Sequence, residues 1–292
     1  MTIGLTGVTG FIGKRLLYVA IRRGHQVIGF SRHPERPVNG CDETRLFSLE
    51  SAPDIQGCDA IVHLAGEPVA GIWTPAKRRR IVESRILGTR RIVEAIQKSG
   101  TPPEVLVSSS AIGFYGDSGD TELDEDAPRG RGFLAETSEA WEKEALHAEK
   151  TRVVLLRTAI VLGKNAGALK AMAPLFRAGL GARLGSGKQW MSWIHISDMV
   201  RLTLFAIENL DLRGPLNAAA PWPVRNAEFT RQLAATSRSR AFIVAPEFAL
   251  RLLGGFSAEL LDSKRVVPAA ATEHGFGFEF PELAPALKNL LG

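Results

Sequence analysis

The segment TGVTGFIG, Thr6 to Gly13, follows directly on the apolar run Ile3, Gly4, Leu5 and opens a stretch with helical periodicity that runs over 11–23. Three glycines at three-residue spacing, Gly7, Gly10 and Gly13, between a strand and a helix leave few folds open. In such a unit the first glycine allows a tight turn, the second lets backbone approach a pyrophosphate, and the third lets the helix pack close. The helix N-terminus then offers phosphate its unpaired N–H groups and a partial positive charge. A second strand at 26–31 completes a β-α-β unit. A glycine turn that holds no ligand is the competing reading, and the flanking strand and helix argue against it.

The rhythm continues along the chain. Strand-like runs at 26–31, 44–49, 60–64, 105–109 and 152–162 alternate with helical stretches at 11–23, 75–98 and 134–148. Near-continuously apolar strands separated by helices predict a doubly wound parallel sheet covered on both faces, an α/β fold of Rossmann type. Beyond Lys164 the alternation breaks into a helix at 168–178, the glycine-rich loop GLGARLGSGKQW, a helix start at Ser197 and Asp198, a strand at 215–218 and a helix at 226–236. The expected organisation is a dinucleotide-binding domain over 1–163, to which a segment near 192–220 returns, and a smaller substrate-side region over 164–292.

Composition narrows the partners. Among 292 residues only two cysteines occur, Cys41 and Cys58, outside any CxxC or Cys/His cluster, so neither a disulfide framework nor a metal site is expected. No run reaches the roughly 18 to 20 apolar residues of a membrane span, and no secretory signal pattern opens the chain, so a cytoplasmic protein without a membrane partner is expected. A net charge of +5 permits an acidic ligand. The basic run Lys77, Arg78, Arg79, Arg80 points in four directions around its helix, which suits a solvated face better than a nucleic-acid stripe.

The end of the second strand selects the dinucleotide. An NAD site places an Asp or Glu about 20 residues past the glycines to hold the ribose 2′-hydroxyl. Here the strand ends in Ser31 and Arg32, followed by His33 and Arg36. A carboxylate would repel a 2′-phosphate, whereas a hydroxyl and a guanidinium bind it, so NADP is expected over NAD. The alternative is a surface arginine at a strand end.

These segments together resemble the extended short-chain dehydrogenase/reductase superfamily, whose TGxTGxxG motif Thr6 to Gly13 match. LAGEPV from Leu64, SRILGT from Ser84, SSSAIGFYGD from Ser108, Trp141-Glu142, LLRTAIVL from Leu155, GSGKQWMSWIHISDMV from Gly185 and GPLNAAAPWPVRNAEF from Gly214 run in the order of one subgroup. That subgroup is the SDR39U1-like (YfcH-like) NAD(P)-dependent epimerase family, and the likeness covers nearly the whole chain, with 245–292 similar to its C-terminal extension. The resemblance implies that Gly7, Thr9, Gly10, Phe11, Ile12 and Gly13 bind pyrophosphate and that Ser31 and Arg32 bind the 2′-phosphate. It further implies that Leu64 and Ala65 flank the adenosine side and that Arg85 lines the cofactor channel, unless Arg85 is a buried, paired structural arginine.

The same resemblance raises a catalytic problem. The superfamily pairs a Ser or Thr after the fifth strand with a Tyr-x-x-x-Lys helix, whose phenol exchanges a proton while hydride passes to or from the cofactor. Ser110 fits the first role. Counting back from Glu142 puts Ser138 at the lysine position and Leu134 at the tyrosine position, and the two tyrosines, Tyr18 and Tyr115, have no lysine four residues later. Tyr115 is therefore a candidate acid or base, with packing under a substrate loop as its alternative. His195 is another candidate, with a hydrogen-bonded structural role beside Asp198 as its alternative. The acidic loop Asp124, Glu125, Asp126 is expected to be solvated.

For the substrate, Arg157, Arg177, Lys188, Gln189 and Trp190 suggest a phosphate or nucleotide diphosphate stacked on an indole. Two functions stand at this point. One is an NADP-binding oxidoreductase or epimerase acting on a hydroxyl or carbonyl of a sugar-like or nucleotide-sugar small molecule. The other is an NADP-responsive sensor or binding protein without turnover. A homodimer through the helices at 75–98 and 134–148 is expected, and nucleic acid is not.

Overall fold

Val27, Ile28 and Phe30 on one strand, and Ala60, Ile61 and Val62 on another, are all buried, so consecutive side chains on opposite faces both meet protein. Only a sheet covered on both sides gives that pattern. The computed structural model describes residues 1–292 except Asn165, Ala241, Phe242 and Leu253.

The first half runs β1 (Thr2–Thr6), α1 (Phe11–Arg22), β2 (Gln26–Ser31), β3 (Glu43–Leu46), β4 (Ala60–His63), α2 (Pro75–Lys98), β5 (Val105–Ala111), β6 (Glu122–Leu123), α3 (Phe133–Leu146) and β7 (Arg152–Thr158). There follow β8 (Ile160–Gly163), α4 (Gly167–Arg177), β9 (Ala182–Leu184), β10 (Trp190–Met191), β11 (Trp193–His195), α5 (Ile196–Glu208), β12 (Gly214–Ala218), β13 (Val224–Arg225) and α6 (Asn226–Thr236). The chain closes with β14 (Ile243–Ala245), α7 (Glu247–Arg251), α8 (Ser257–Leu261), β15 (Arg265–Val266), α9 (Ala269–Glu273) and α10 (Leu283–Leu291).

Seven strands form one parallel sheet in the order β12-β7-β5-β4-β1-β2-β3. One face carries a core shared by α1, α5, α6 and α10, in which Leu16, Leu202, Phe229 and Leu287 are buried. The other carries Ile92, Ile96 and Ala145 of α2 and α3. Thr74 caps α2 by accepting from the Lys77 N–H, and Pro75 holds the first helical position, where no donor is needed.

The apolar run 152–162 is not one strand. It leaves the main sheet after Thr158, and β8 then pairs with β11 instead. Three further two-stranded pairings lie outside the main sheet, β10 with β13, β9 with β14 and β6 with β15, and the last ties the C-terminal third to the first half. Among the described residues no helix is long and apolar enough to cross a membrane.

Candidate cofactor and substrate site

The carboxyl ends of β1, β2, β4, β5 and β7 bring most of the candidate residues to one edge of the sheet, where ligands of doubly wound folds bind. Gly7 leaves β1 with φ +67, and a Cβ there would stand 3.0 Å from the Leu64 carbonyl carbon, so the loop lies hard against the segment after β4. A Cβ at Gly13 would collide with the Gly7 carbonyl oxygen, which is why α1 can start so close under the loop. Gly10 caps α1 without a side chain, and no acidic residue stands in the first turn. Thr9, Phe11 and Ile12 lie on this same turn and helix start. The cradle is formed by backbone and leaves the helix N-terminus open to an anion.

At the end of β2, the Ser31 hydroxyl accepts the His33 N–H at 3.1 Å. Arg32 is exposed and has no ion pair or hydrogen bond among the described residues. The only carboxylate of this turn, Glu35, faces His33 and Arg36. Leu64 and Ala65 donate their backbone N–H groups to the Thr6 hydroxyl oxygen at 3.0 and 3.1 Å. Arg85 is half-buried, lies 5.0 Å from the Trp141 ring centroid, and donates from one terminal nitrogen to the carbonyls of Glu67 and Ile81. Burial pushes its pKa down to about 10, which leaves it cationic at neutral pH.

At the other end of the same edge lies a buried polar network. Ser110 Oγ donates to Glu142 Oε1 at 2.6 Å. Arg157, the cross-strand neighbour of Ser110, grips both Glu142 oxygens at 2.9 Å and donates to the Tyr115 hydroxyl at 3.0 Å. Tyr115 has no exposed surface, and its hydroxyl faces the Asp124 carbonyl and Asn217 Oδ1. Burial pushes its phenol up to about 12, against the opposing pull of Arg157.

His195 lies elsewhere. Its Nδ1 accepts the Ser197 N–H and caps α5, its Nε2 faces Asn289 Oδ1, and its ring stacks on Phe280. Burial, the largest influence, lowers its pKa. It belongs to the seam with the C-terminal helix, and the nearby Asp198 receives the N–H groups of Glu279 and Phe280.

A cavity of about 1010 Å³ opens beyond the end of β5, walled by Gly113, Tyr115 and Leu134 on one side and by Trp73, Arg78 and Lys264 on the other. None of Arg157, Arg177, Lys188, Gln189 and Trp190 is on its wall, so the expected substrate cluster is corrected. Arg157 is held by Glu142, Gln189 donates to the carbonyls of Leu184 and Leu260, and the Trp190 ring lies against the guanidinium groups of Arg225 and Arg265. Trp73 precedes the basic run and Arg78 belongs to it, so one member of a run expected to be a solvated face lies on the cavity wall. Lys77 and Arg80 of that run pair with Glu67, and Arg78 lies 4.3 Å from the Phe133 ring centroid. Glu125, expected in a solvated loop, is buried and receives the N–H groups of Asn217 and Ala270.

The sequence profile of the NAD dependent epimerase/dehydratase family matches residues 3–219, and a domain of unknown function, DUF1731, matches residues 245–290. An epimerase family protein SDR39U1 homolog, chloroplastic, of Arabidopsis thaliana is 37% identical over 307 residues, covering 100% of this chain and 87% of that protein. The crystal structure of human epimerase family protein SDR39U1 (isoform2) with NADPH superposes with a TM-score of 0.93 at 34% identity, covering 100% of this chain and 99% of that one. A nucleoside-diphosphate sugar epimerase from Corynebacterium glutamicum superposes with a TM-score of 0.81 at 32% identity, covering 100% of this chain and 58% of that one.

Proposed function

The chain belongs to the NAD dependent epimerase/dehydratase family, and from that premise we propose that it is an NADP(H)-dependent oxidoreductase or epimerase acting on a hydroxyl or carbonyl of a sugar-like substrate, in the nucleotide-sugar class. The observation that carries the reading is the shared edge: the backbone cradle, the unpaired Arg32 and the 1010 Å³ cavity all lie at the carboxyl ends of the parallel strands. The human relative's NADPH and the Corynebacterium relative's sugar-nucleotide designation support it.

Gly7, Thr9, Gly10, Phe11, Ile12 and Gly13 would hold the pyrophosphate, Ser31 and Arg32 the 2′-phosphate, Leu64 and Ala65 the adenosine side, and Arg85 would keep the loop at Glu67 in place. The bound dinucleotide supplies or takes up hydride. Ser110, 3% exposed and not itself on the cavity wall, is the group assigned to the chemistry in this reading. Its proton points to Glu142, so its lone pairs are free to accept a hydrogen bond from a substrate hydroxyl. Arg157 holds Glu142 in place for that role, and Tyr115 braces Arg157. With Leu134 and Ser138 at the Tyr-x-x-x-Lys positions, the chain would work without that dyad, and Arg78 is the cation offered to an anionic portion of the substrate, Lys264 being paired with Glu259 and Asp262.

Calorimetric titration with NADPH and NADH tests the cofactor. The unaltered chain is expected to prefer NADPH, and Arg32→Asp, which puts a carboxylate where the 2′-phosphate would sit, is expected to lose about tenfold or more in NADPH affinity while NADH is spared. Equal affinity for NADPH in the two proteins overturns the role of Arg32. A second reading, an NADP-responsive binding protein without turnover, draws on the buried phenol of Tyr115. Reduction of a nucleotide ketosugar, followed by NADPH absorbance and abolished by Ser110→Ala, decides against it.

A further inference from the structure

His63 ends β4 opposite Thr6, the last residue of β1, and both are fully buried. The Thr6 hydroxyl oxygen already accepts two N–H groups, from Leu64 and Ala65. A threonine hydroxyl has two lone pairs and one proton, so the proton must go to His63 Nδ1, 2.8 Å away. That fixes the imidazole with Nδ1 bare and its proton on Nε2. Nε2 is buried and has no partner among the described residues, and it faces the position where a Gly88 Cβ would lie, 3.7 Å off. The ring also meets Phe47 edge-on, with centroids 5.6 Å apart. An apolar side chain would fill the same space without stranding a donor. What the imidazole adds is one acceptor aimed at Thr6.

We propose that His63 is a positioning residue of the dinucleotide site: its bare Nδ1 orients the Thr6 hydroxyl, which holds the backbone after β4 against the Gly7 loop. The close approach of Gly7 to Leu64 makes this the point where the two walls of the site meet. Burial pushes the His63 pKa down to about 4, so the ring stays neutral at physiological pH and Nδ1 stays an acceptor. The inference rests on the NADP(H) reading above.

The test is calorimetric titration of the full chain with NADPH, with the unfolding midpoint of each variant measured in parallel. Asparagine carries its side-chain oxygen at the position of Nδ1, so His63→Asn is expected to keep NADPH affinity within about twofold. His63→Gln and His63→Leu offer no acceptor there and are expected to lose about tenfold or more. If the leucine variant does not fold, the glutamine variant carries the test. Affinity unchanged in the glutamine variant, or lost equally in the asparagine variant, overturns the proposal while leaving the cofactor reading intact. No NADPH binding by the unaltered chain overturns both.

Discussion

Two buried polar hubs stand under the same edge of the sheet and are made on opposite principles. At β1 and β4, Thr6 and His63 form a neutral hub joining loops 57 residues apart. At β5 and β7, Ser110, Glu142, Arg157 and Tyr115 form a charged hub, with Asn217 reaching Tyr115 across 102 residues. The neutral hub has every Thr6 bond filled and one stranded N–H on His63. The charged hub contains an ion pair whose two side chains are 5% and 7% exposed, with further hydrogen bonds to both partners. A neutral hub fails when it is forced to take a charge, and a charged hub fails when one charge is removed.

The largest effect is therefore expected at Arg157. Arg157→Met leaves the Glu142 carboxylate buried without its counter-ion, which costs about 3–5 kcal/mol in comparable sites. Urea unfolding at pH 7 should show that loss, and adding Glu142→Gln should recover a good part of it, because the stranded charge is then gone. A single variant that unfolds with the unaltered chain would mean that the ion pair carries no net stability.

Acid should single out the neutral hub. The unfolded chain binds a proton at His63 near its ordinary 6.5, whereas the folded chain resists it until about 4. Between those values the unfolded state holds more protons, so stability falls as pH falls from 6.5 and levels off near 4, a loss of up to about 3 kcal/mol. Unfolding free energies at pH 7 and pH 4.5 should differ more in the unaltered chain than in His63→Asn, where other groups titrate alike and this one is gone. The same decrement in both proteins would place the acid sensitivity elsewhere.

The contrast also explains what the sequence could disclose. The glycine loop, the helix at 75–98, the strand at 26–31 and the helix at 226–236 match the structure because each depends on residues adjacent in the chain: a cap, a turn, an apolar period. Ser110 and Arg32 could be singled out as candidates because they lie at the carboxyl ends of strands, Arg32 just after β2 and Ser110 one residue before the end of β5. The break at Ala159 could not be seen, since an apolar run reads the same whether or not it changes sheet. Glu125 looked like one member of an acidic loop because the N–H groups it receives belong to Asn217 and Ala270, 92 and 145 residues away. Arg157 looked available to substrate for the same reason, as its partner Glu142 sits on another element. Trp73 and Arg78 line the cavity together with the C-terminal segment, Gly255 against Trp73, and with Phe133 against Arg78, contacts that no local pattern encodes.

The smallest effect gives the sharpest test of the charged hub. Arg90 and Glu144 join α2 to α3 in the same two-pronged geometry as Arg157 and Glu142, at 3.0 and 2.9 Å against 2.9 and 2.9 Å. The difference is burial, chiefly of the arginine: the Arg90 and Glu144 side chains are 45% and 14% exposed, where those of Arg157 and Glu142 are 5% and 7%. Water can replace the lost partner at Glu144 and cannot at Glu142, so Arg90→Met should cost less than about 1 kcal/mol in the same urea experiment. Added salt should shrink that small loss further, because exposed charges are screened, and should leave the Arg157→Met loss nearly unchanged. Equal losses at the two arginines would mean that geometry, rather than exclusion of water, sets the strength of both pairs.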